Sequence, residues 1–578
     1  MRVVPEKRIL CNCPSEADFA RLVAAIGEVA AGPARGDGVI AHDGLALRFA
    51  ARPTKEALLA DLRAQYVNLI LLDLRGEGAE RDAQRAAAFE VLDELDRVAD
   101  IEARFAFDRV LAVLPGEATP ETDDLVLRLG ARGVRHVVRA APGASARADA
   151  ALAGAVLAEV TRILRGRRTG SRALCASGGG ITGIYFELGA LKCLDDCFGP
   201  GSMNALDMYF GISAGAVVSG PLVVGYSVDE YLAAIAGAPG GRIPPIDLNL
   251  MRLEHVDARG FARRALLAAR TGAAGLWSAL SGRPARRDDE LVFDYVDLVA
   301  APFRADRFER VLRGVLTAPG ATNDFRLLER PLYVGATDQD ARQHVLFGAE
   351  GWERVPMSLA IQASLSLNPA FGATLIDGRY YEDGAITRTS NFTEAIRRGA
   401  TLLIVLDPLL PYVSRRAGFA NRRGMLYNID QDVRTISYTR YETARRWVMR
   451  QHPEVSSYTF VPANRLRRLM SMNPMDHRPY LEIWRGAYLS TLNRLKVVGH
   501  RLAGDFAAHG LTYDPSRAEE VARRLEAVTR PALADFFPRQ RVAIHQGPLC
   551  REEPRQGAEL ASADVGGHAL NAIAAGRR

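Results

Sequence analysis

Two short segments carry residues whose types and spacing fit acyl transfer. Ser177-Gly178-Gly179-Gly180-Ile181-Thr182-Gly183 is a bare-backbone turn, able to aim several N–H groups at one oxygen. Gly211-Ile212-Ser213-Ala214-Gly215 is the Gly-x-Ser-x-Gly pattern, in which small neighbours let a serine sit on a sharp strand-to-helix turn with its hydroxyl exposed. Each segment follows an apolar run that reads as a buried strand, 173–176 and 206–210, and each opens a stretch that reads as a helix. Together they supply an oxyanion hole and a nucleophile.

Gly178-x-Gly180-x-x-Gly183 also satisfies the dinucleotide fingerprint, which needs an acidic residue near the end of the following strand to hold a ribose. Asp195 and Asp196 stand at that separation, but they close the helical stretch 185–194, before the next strand. That strand ends in Gly-Ile-Ser-Ala-Gly, so acyl transfer is the better reading. A serine hydroxyl needs a base, and the usual one is histidine. His255, His344, His452, His477, His500, His509, His545 and His568 follow Ser213, and none sits in a small-residue turn after a buried strand. His344 falls within an expected strand at 343–347. An aspartate can act directly on serine where its site is dry enough to make the carboxylate a stronger base. Asp383 is the best-placed one, in Gly378-Arg379-Tyr380-Tyr381-Glu382-Asp383-Gly384-Ala385 at the end of a hairpin's return strand. The rival pair Asp377-Gly378 fits the two-residue turn of that same hairpin, between 373–376 and 379–382.

This constellation resembles the patatin-like phospholipases, a family of lipid acyl hydrolases with a Ser–Asp dyad. The resemblance rests on the glycine turn at 178–183, the elbow at 211–215 and Asp383-Gly384, with Ala363-Ser364, Pro369-Ala370-Phe371 and Tyr381 at the family's spacing. It covers about 172–409, less than half the chain. One departure touches the loop after the aspartate. Where the family has a second glycine and then an Asn near a Pro, Ala385 and Thr387-Arg388-Thr389 stand here. The resemblance implies a three-layer α/β hydrolase core with a largely parallel sheet. It implies Ser213 as nucleophile, Asp383 as base, Gly178, Gly179, Gly180 and Ala214 as the oxyanion hole, and Gly211 and Gly215 as the small residues of the elbow. It implies a lipid or phospholipid ester as substrate and no metal or other cofactor. The apolar runs 174–176, 208–210, 332–334 and 402–406, alternating with helical stretches, agree with a parallel sheet. A histidine-dependent esterase and a catalytically silent lipid-binding scaffold are the alternatives.

At 578 residues, with 48% hydrophobic and 25% charged residues, the chain has the composition of a globular protein of several domains. Residues 1–165 read as a smaller receiver-like or Rossmann-like α/β domain, with strands at 8–11, 67–72, 110–114 and 136–138. The run Asn68-Leu-Ile-Leu-Leu-Asp73 looks like a bacterial receiver, but Cys11-Asn12-Cys13 stands where an acidic pair would and Arg139 where a lysine would. A scaffold for regulation or homodimerisation is expected in place of metal-dependent phosphorylation at Asp73. The hydrolase domain spans 166–412, with a candidate lid or insertion at 237–290. A helical region follows at 413–578, its tail poorly ordered from about 551.

In that last region Ile429, Val433, Ile436, Ala444 and Trp447 fall on one helical face, while Arg434, Arg440, Arg445, Arg446 and Arg450 occupy the rest. Such a helix can lie on an anionic bilayer, but an apolar stripe is usually core, so packing on the hydrolase is the expectation. The net charge of +6 suits peripheral contact with an anionic membrane, and no nucleic-acid motif accompanies it. Six cysteines at irregular spacing make no disulfide framework. The first residues lack the apolar core of a leader, and no run approaches the ~20 residues of a membrane span. A cytoplasmic location, peripheral to the inner face of the membrane, is therefore expected.

Overall fold

The computed structural model describes residues 6–13, 15–30, 39–75, 78–97, 105–141, 145–166, 169–238, 241–250, 303–368 and 370–537, with a few isolated positions between 262 and 277. Most of the expected insertion, Pro369, Cys550, His255, His545, His568 and the tail from 551 lie outside them.

Two sheets organise the described residues. The first has six strands in the order β2-β3-β1-β4-β5-β6: β1 (Glu6–Asn12), β2 (Val39–His42), β3 (Leu45–Ala51), β4 (Leu69–Asp73), β5 (Val110–Leu114) and β6 (His136–Arg139). All pairings are parallel except the β2–β3 hairpin. Without β2 this is the flavodoxin-like doubly wound order. Helices α1 (Glu16–Val29), α2 (Lys55–Ala64), α3 (Gly78–Arg97), α4 (Pro120–Ala131) and α5 (Ala146–Gly166) complete the unit. The β2–β3 hairpin is not among the strands expected from sequence, although Asp43-Gly44, both at positive φ, marks its turn. At the carboxyl edge, Arg75 takes both oxygens of Asp73, at 2.9 and 2.7 Å.

The second sheet runs β11-β12-β9-β8-β7-β13-β14, with β10 also paired to β9. Its strands are β7 (Ser171–Ala176), β8 (Met208–Ile212), β9 (Leu332–Asp338), β10 (Gln343–Phe347), β11 (Thr374–Ile376), β12 (Arg379–Asp383), β13 (Ala400–Leu406) and β14 (Ser456–Phe460). Strands β9, β8, β7, β13 and β14 pair in parallel, and β10 to β12 add the antiparallel edge. The central strands are apolar throughout because both faces are covered. Their cover comes from α6 (Gly180–Phe198), α7 (Ala214–Val223), α8 (Val228–Ile235), α9 (Asp306–Leu316), α10 (Met357–Leu365) and α11 (Phe392–Arg397), and from the C-terminal helices. Every residue of α6 after its first is buried, the mark of a helix inside a core.

The segment after 412 completes the second unit. It supplies the edge strand β14, and α12 (Met425–Gln451), α13 (Asn464–Met470), α14 (Tyr480–Ala508) and α15 (Ser516–Ala527) pack on the core. A buried charge cluster ties α14 and α15 to α6: Asp196 accepts from Lys192 at 3.0 Å, Tyr488 Oη at 2.8 Å and Arg517 at 2.8 Å.

The structure reverses one expectation. The stripe of Ile429, Val433, Ile436 and Trp447 on α12 faces outward, and Arg434, Ser437, Tyr441, Arg445 and Val448 face the core. The helical period of the stripe holds, but its phase is the opposite of the one expected. Buried guanidiniums are tolerated here because each finds oxygens: Arg434 donates to Asp430 at 2.8 Å and to Pro408 O at 3.3 Å.

Candidate active site

Strand register brings Ser213 and Asp383, the two residues expected to work together, to one end of the sheet. Ile212, at the end of β8, stands opposite Gly335 of β9, and Asp383, at the end of β12, stands opposite the next residue, Ala336. Ser213 follows Ile212 at φ +53° and ψ −118°, a conformation that L residues rarely adopt. Its surroundings over-determine it, the condition under which such strain persists. Ser213 N–H donates to Ser364 Oγ at 2.8 Å, and Ser364 Oγ–H donates to Gly335 O at 2.6 Å. Gly215 N–H donates to Ser177 O at 3.0 Å, and a Cβ on Gly215 would stand 2.2 Å from Ala176 O. Gly215 thus lets the elbow press against the end of β7.

Ser364 is legible in sequence only as part of the resemblance; its bond to the Ser213 amide is not. Ser364→Ala leaves that buried N–H without its acceptor. An expected loss of about 1–3 kcal/mol follows, to be read from urea denaturation.

Asp383 is fully buried, which pushes its carboxyl up to about 7 although the Ser213 hydroxyl and the Ala385 N–H oppose the shift. Its Oδ1 accepts the Ala385 N–H at 2.8 Å, while Oδ2 has no hydrogen bond of full geometry. The Ser213 hydroxyl is thus a neighbour of Asp383 without a tight ground-state bond. Such looseness is common before substrate arrives. Asp377, the rival, is the hairpin turn residue at φ +48°.

The loop after Asp383 is braced from two sides. Thr337 Oγ1 donates to Asp383 O at 3.0 Å and bonds Thr387 Oγ1 at 2.9 Å, which in turn bonds His344 Nδ1 at 2.9 Å. Burial lowers His344 to about 4, so this histidine is neutral and braces the aspartate loop. His452, His500 and His509 bond Glu454, Leu62 O and Thr401 respectively. From the other side, Arg440 of α12 donates to Ala385 O at 2.7 Å and Ile386 O at 2.8 Å. Sequence reasoning places Arg440 only on a polar helix face and misses this role, because the residue stands outside the resemblance.

The glycine turn opens α6. Gly179 is its N-cap, and Gly180, at φ +65°, its first residue. N–H groups at such positions, and that of Ala214 at the start of α7, have no acceptor within their helices. Helix N-termini also favour negative charge. Gly178 lies against the serine: a Cβ there would stand 3.3 Å from Ser213 Cβ and 3.4 Å from Ala385 Cβ. Gly211 backs the elbow, where a Cβ would meet Ala216 Cα at 2.5 Å. The ring of Pro408, in a strand-end turn where Asp407 Oδ1 accepts Leu409 N–H, packs on Gly179. Pro474 O accepts the Thr182 N–H at 3.1 Å. Along the helix that the turn opens, burial and then the nearby Asp407 push Glu187 well above the usual carboxylate range. Among the described residues no group of three or more His, Cys, Asp or Glu is placed to hold a metal ion. A strained serine, a buried carboxyl and the free amides of two helix N-termini can together open a carboxylic ester.

Residues 174–396 match the family model described as patatin-like phospholipase. A search of curated proteins finds no match. Among solved structures, the chain is similar to VipD from Legionella pneumophila, at 14% sequence identity over 63% of this chain and 89% of that one, with a TM-score of 0.26.

Proposed function

We propose that this protein, whose residues 174–396 form a patatin-like phospholipase domain, cleaves carboxylic esters of lipids through a Ser213–Asp383 dyad and an acyl-enzyme. The observation that carries the reading is the strained Ser213 beside a fully buried Asp383 whose carboxyl stands near 7. Asp383 Oδ2 accepts the hydroxyl proton as Ser213 Oγ attacks the ester carbonyl. The developing oxyanion is held by amides of the glycine turn, Gly178, Gly179 and Gly180, and by Ala214. The C–O bond to the leaving alcohol or lysolipid breaks, and the alcohol takes the proton from Asp383. Water then gives a proton to the same carboxylate and attacks the acyl-serine, releasing the fatty acid and restoring Ser213.

The reaction class is of the phospholipase A, lysophospholipase or esterase type. Its substrate would be met at an anionic membrane face on the cytoplasmic side. No helix among the described residues is long and apolar enough to cross a membrane, so any contact made by these helices with the bilayer would be peripheral. Fatty-acid release from phosphatidylglycerol vesicles and from a soluble short-chain ester tests the reading. Release by the wild type and none by Ser213→Ala is expected. A folded wild type that releases nothing from either substrate would leave a silent lipid-binding scaffold.

A further inference from the structure

The outward face of α12 is apolar over its first three turns and again at Trp447, with Arg440 and Thr443 between and exposed Asp432 at its margin. Met425, Ile429, Val433, Ile436 and Trp447 lie within a quarter turn of one another on the helical wheel, with Met425, Ile436 and Trp447 exposed by 74%, 64% and 62%. At 1.5 Å per residue the continuous part, Met425 to Ile436, extends about 17 Å, and Trp447 lies about 17 Å farther along. Large apolar side chains clustered this openly on one helical face mark a partner surface.

The charge beside the row says which partner. The chain carries no acidic residue between Asp407 and Asp430, but it carries Arg415, Arg416, Arg422 and Arg423 there. Arg423 stacks over Phe419 at 4.9 Å, and Arg415, Arg416 and Arg422 are exposed with no ion pair among the described residues. At the far end of the row Arg446 and Arg450 are exposed but already paired, to Glu442 and to Asp96, each at 3.7 Å, so the unpaired cations lie in the loop before the helix. An anionic lipid surface satisfies both the apolar row and the cations.

The helix that carries the row also braces the candidate site. Arg440, from the same helix, holds the carbonyls of Ala385 and Ile386, and Ile386 is itself 40% exposed. Arg434, on the inner face of that helix, holds Pro408 O, and the Pro408 ring packs on Gly179 of the glycine turn. Met472, 61% exposed, stands two residues before Pro474, whose carbonyl caps that turn.

We propose that the outer face of α12, together with the arginine loop 414–424, is the surface by which the protein docks on an anionic bilayer. Docking there sets the dyad beside the lipid esters. The proposal rests on the lipid-hydrolase reading for its purpose but not for its geometry.

Co-sedimentation of the full chain with vesicles tests it, using phosphatidylcholine alone or mixed with phosphatidylglycerol. Wild type is expected to pellet with the mixed vesicles, less with phosphatidylcholine alone, and less as salt is raised. Ile436→Ser/Trp447→Ser is expected to bind mixed vesicles at least about tenfold more weakly while turning over a soluble short-chain ester at the wild-type rate. Arg415→Ser/Arg416→Ser/Arg422→Ser, in an exposed loop, is expected to lose the preference for phosphatidylglycerol and flatten the salt dependence, so the proposal stands or falls even if the first variant misfolds. Equal vesicle binding by wild type and both variants would overturn it. So would a wild type that binds no vesicle but forms a dimer that Ile436→Ser/Trp447→Ser dissociates. A wild type inactive on every ester whose vesicle binding is still lost in the variants would sink the hydrolase reading and leave the docking surface standing.

Discussion

Asp383→Asn is expected to lower kcat by about 10²–10⁴-fold on a soluble ester, the range a positioned general base contributes. The substitution keeps size and the oxygen that accepts the Ala385 N–H, but it removes the group that takes the serine proton. The same assignment fixes a pH profile. Burial raises the Asp383 carboxyl to about 7, so kcat/KM of the wild type should climb through pH 7 as the carboxylate ionises and level off above it. The sign for stability is opposite. A carboxyl whose folded pKa lies above its unfolded value of 3.8 binds its proton more tightly when folded, and its stabilising effect fades as pH rises from about 4 to about 7. Above pH 7 the wild type therefore holds a buried charge that Asp383→Asn lacks. The variant should unfold at or above the wild-type midpoint at pH 8 while being nearly inactive, which separates a lost base from a lost fold. Activity that survives in Asp383→Asn would return the search to the histidines.

Gly179→Ala carries the second large effect. A Cβ there would stand 2.6 Å from Pro408 Cγ and 2.9 Å from Gly183 Cα, so the turn must move to accept it. Losing one oxyanion donor typically lowers kcat by about 10²–10³-fold. A drop of that size in kcat with KM little changed is expected. Pro408→Ala in the same chain removes the nearer obstacle and should recover part of the loss. A Gly179→Ala enzyme with wild-type kcat would take Gly179 out of the oxyanion hole.

Much of the site is legible in sequence because its signals are local. The glycine turn, the small-residue elbow and the Asp-Gly pair each sit within a few residues of a strand end. Asp377 and Gly378 announce by composition the tight turn that they form at φ +48° and +78°. Contacts that close over distance are not legible. Ser364 reaches Ser213 N–H across 151 positions, and Arg440 reaches Ala385 O across 55. Strand β14, Ser-Ser-Tyr-Thr-Phe, lacks an apolar run and becomes a buried edge only by pairing with β13. For α12 the pattern carries a period but no phase. Which face turns inward depends on whether carbonyl and carboxylate partners await Arg434 and Arg445, and several of those partners come from elsewhere in the chain.

The central claim is that Ser213 is an activated nucleophile working through Asp383. The measurement that reaches it most directly is covalent labelling of the purified protein by a fluorophosphonate, with Ser213→Ala and Asp383→Asn beside the wild type. Labelling that is strong in the wild type, absent in Ser213→Ala and sharply reduced in Asp383→Asn is the predicted result. A folded wild type that stays unlabelled in the presence of anionic vesicles, or labelling undiminished in Asp383→Asn, would contradict it.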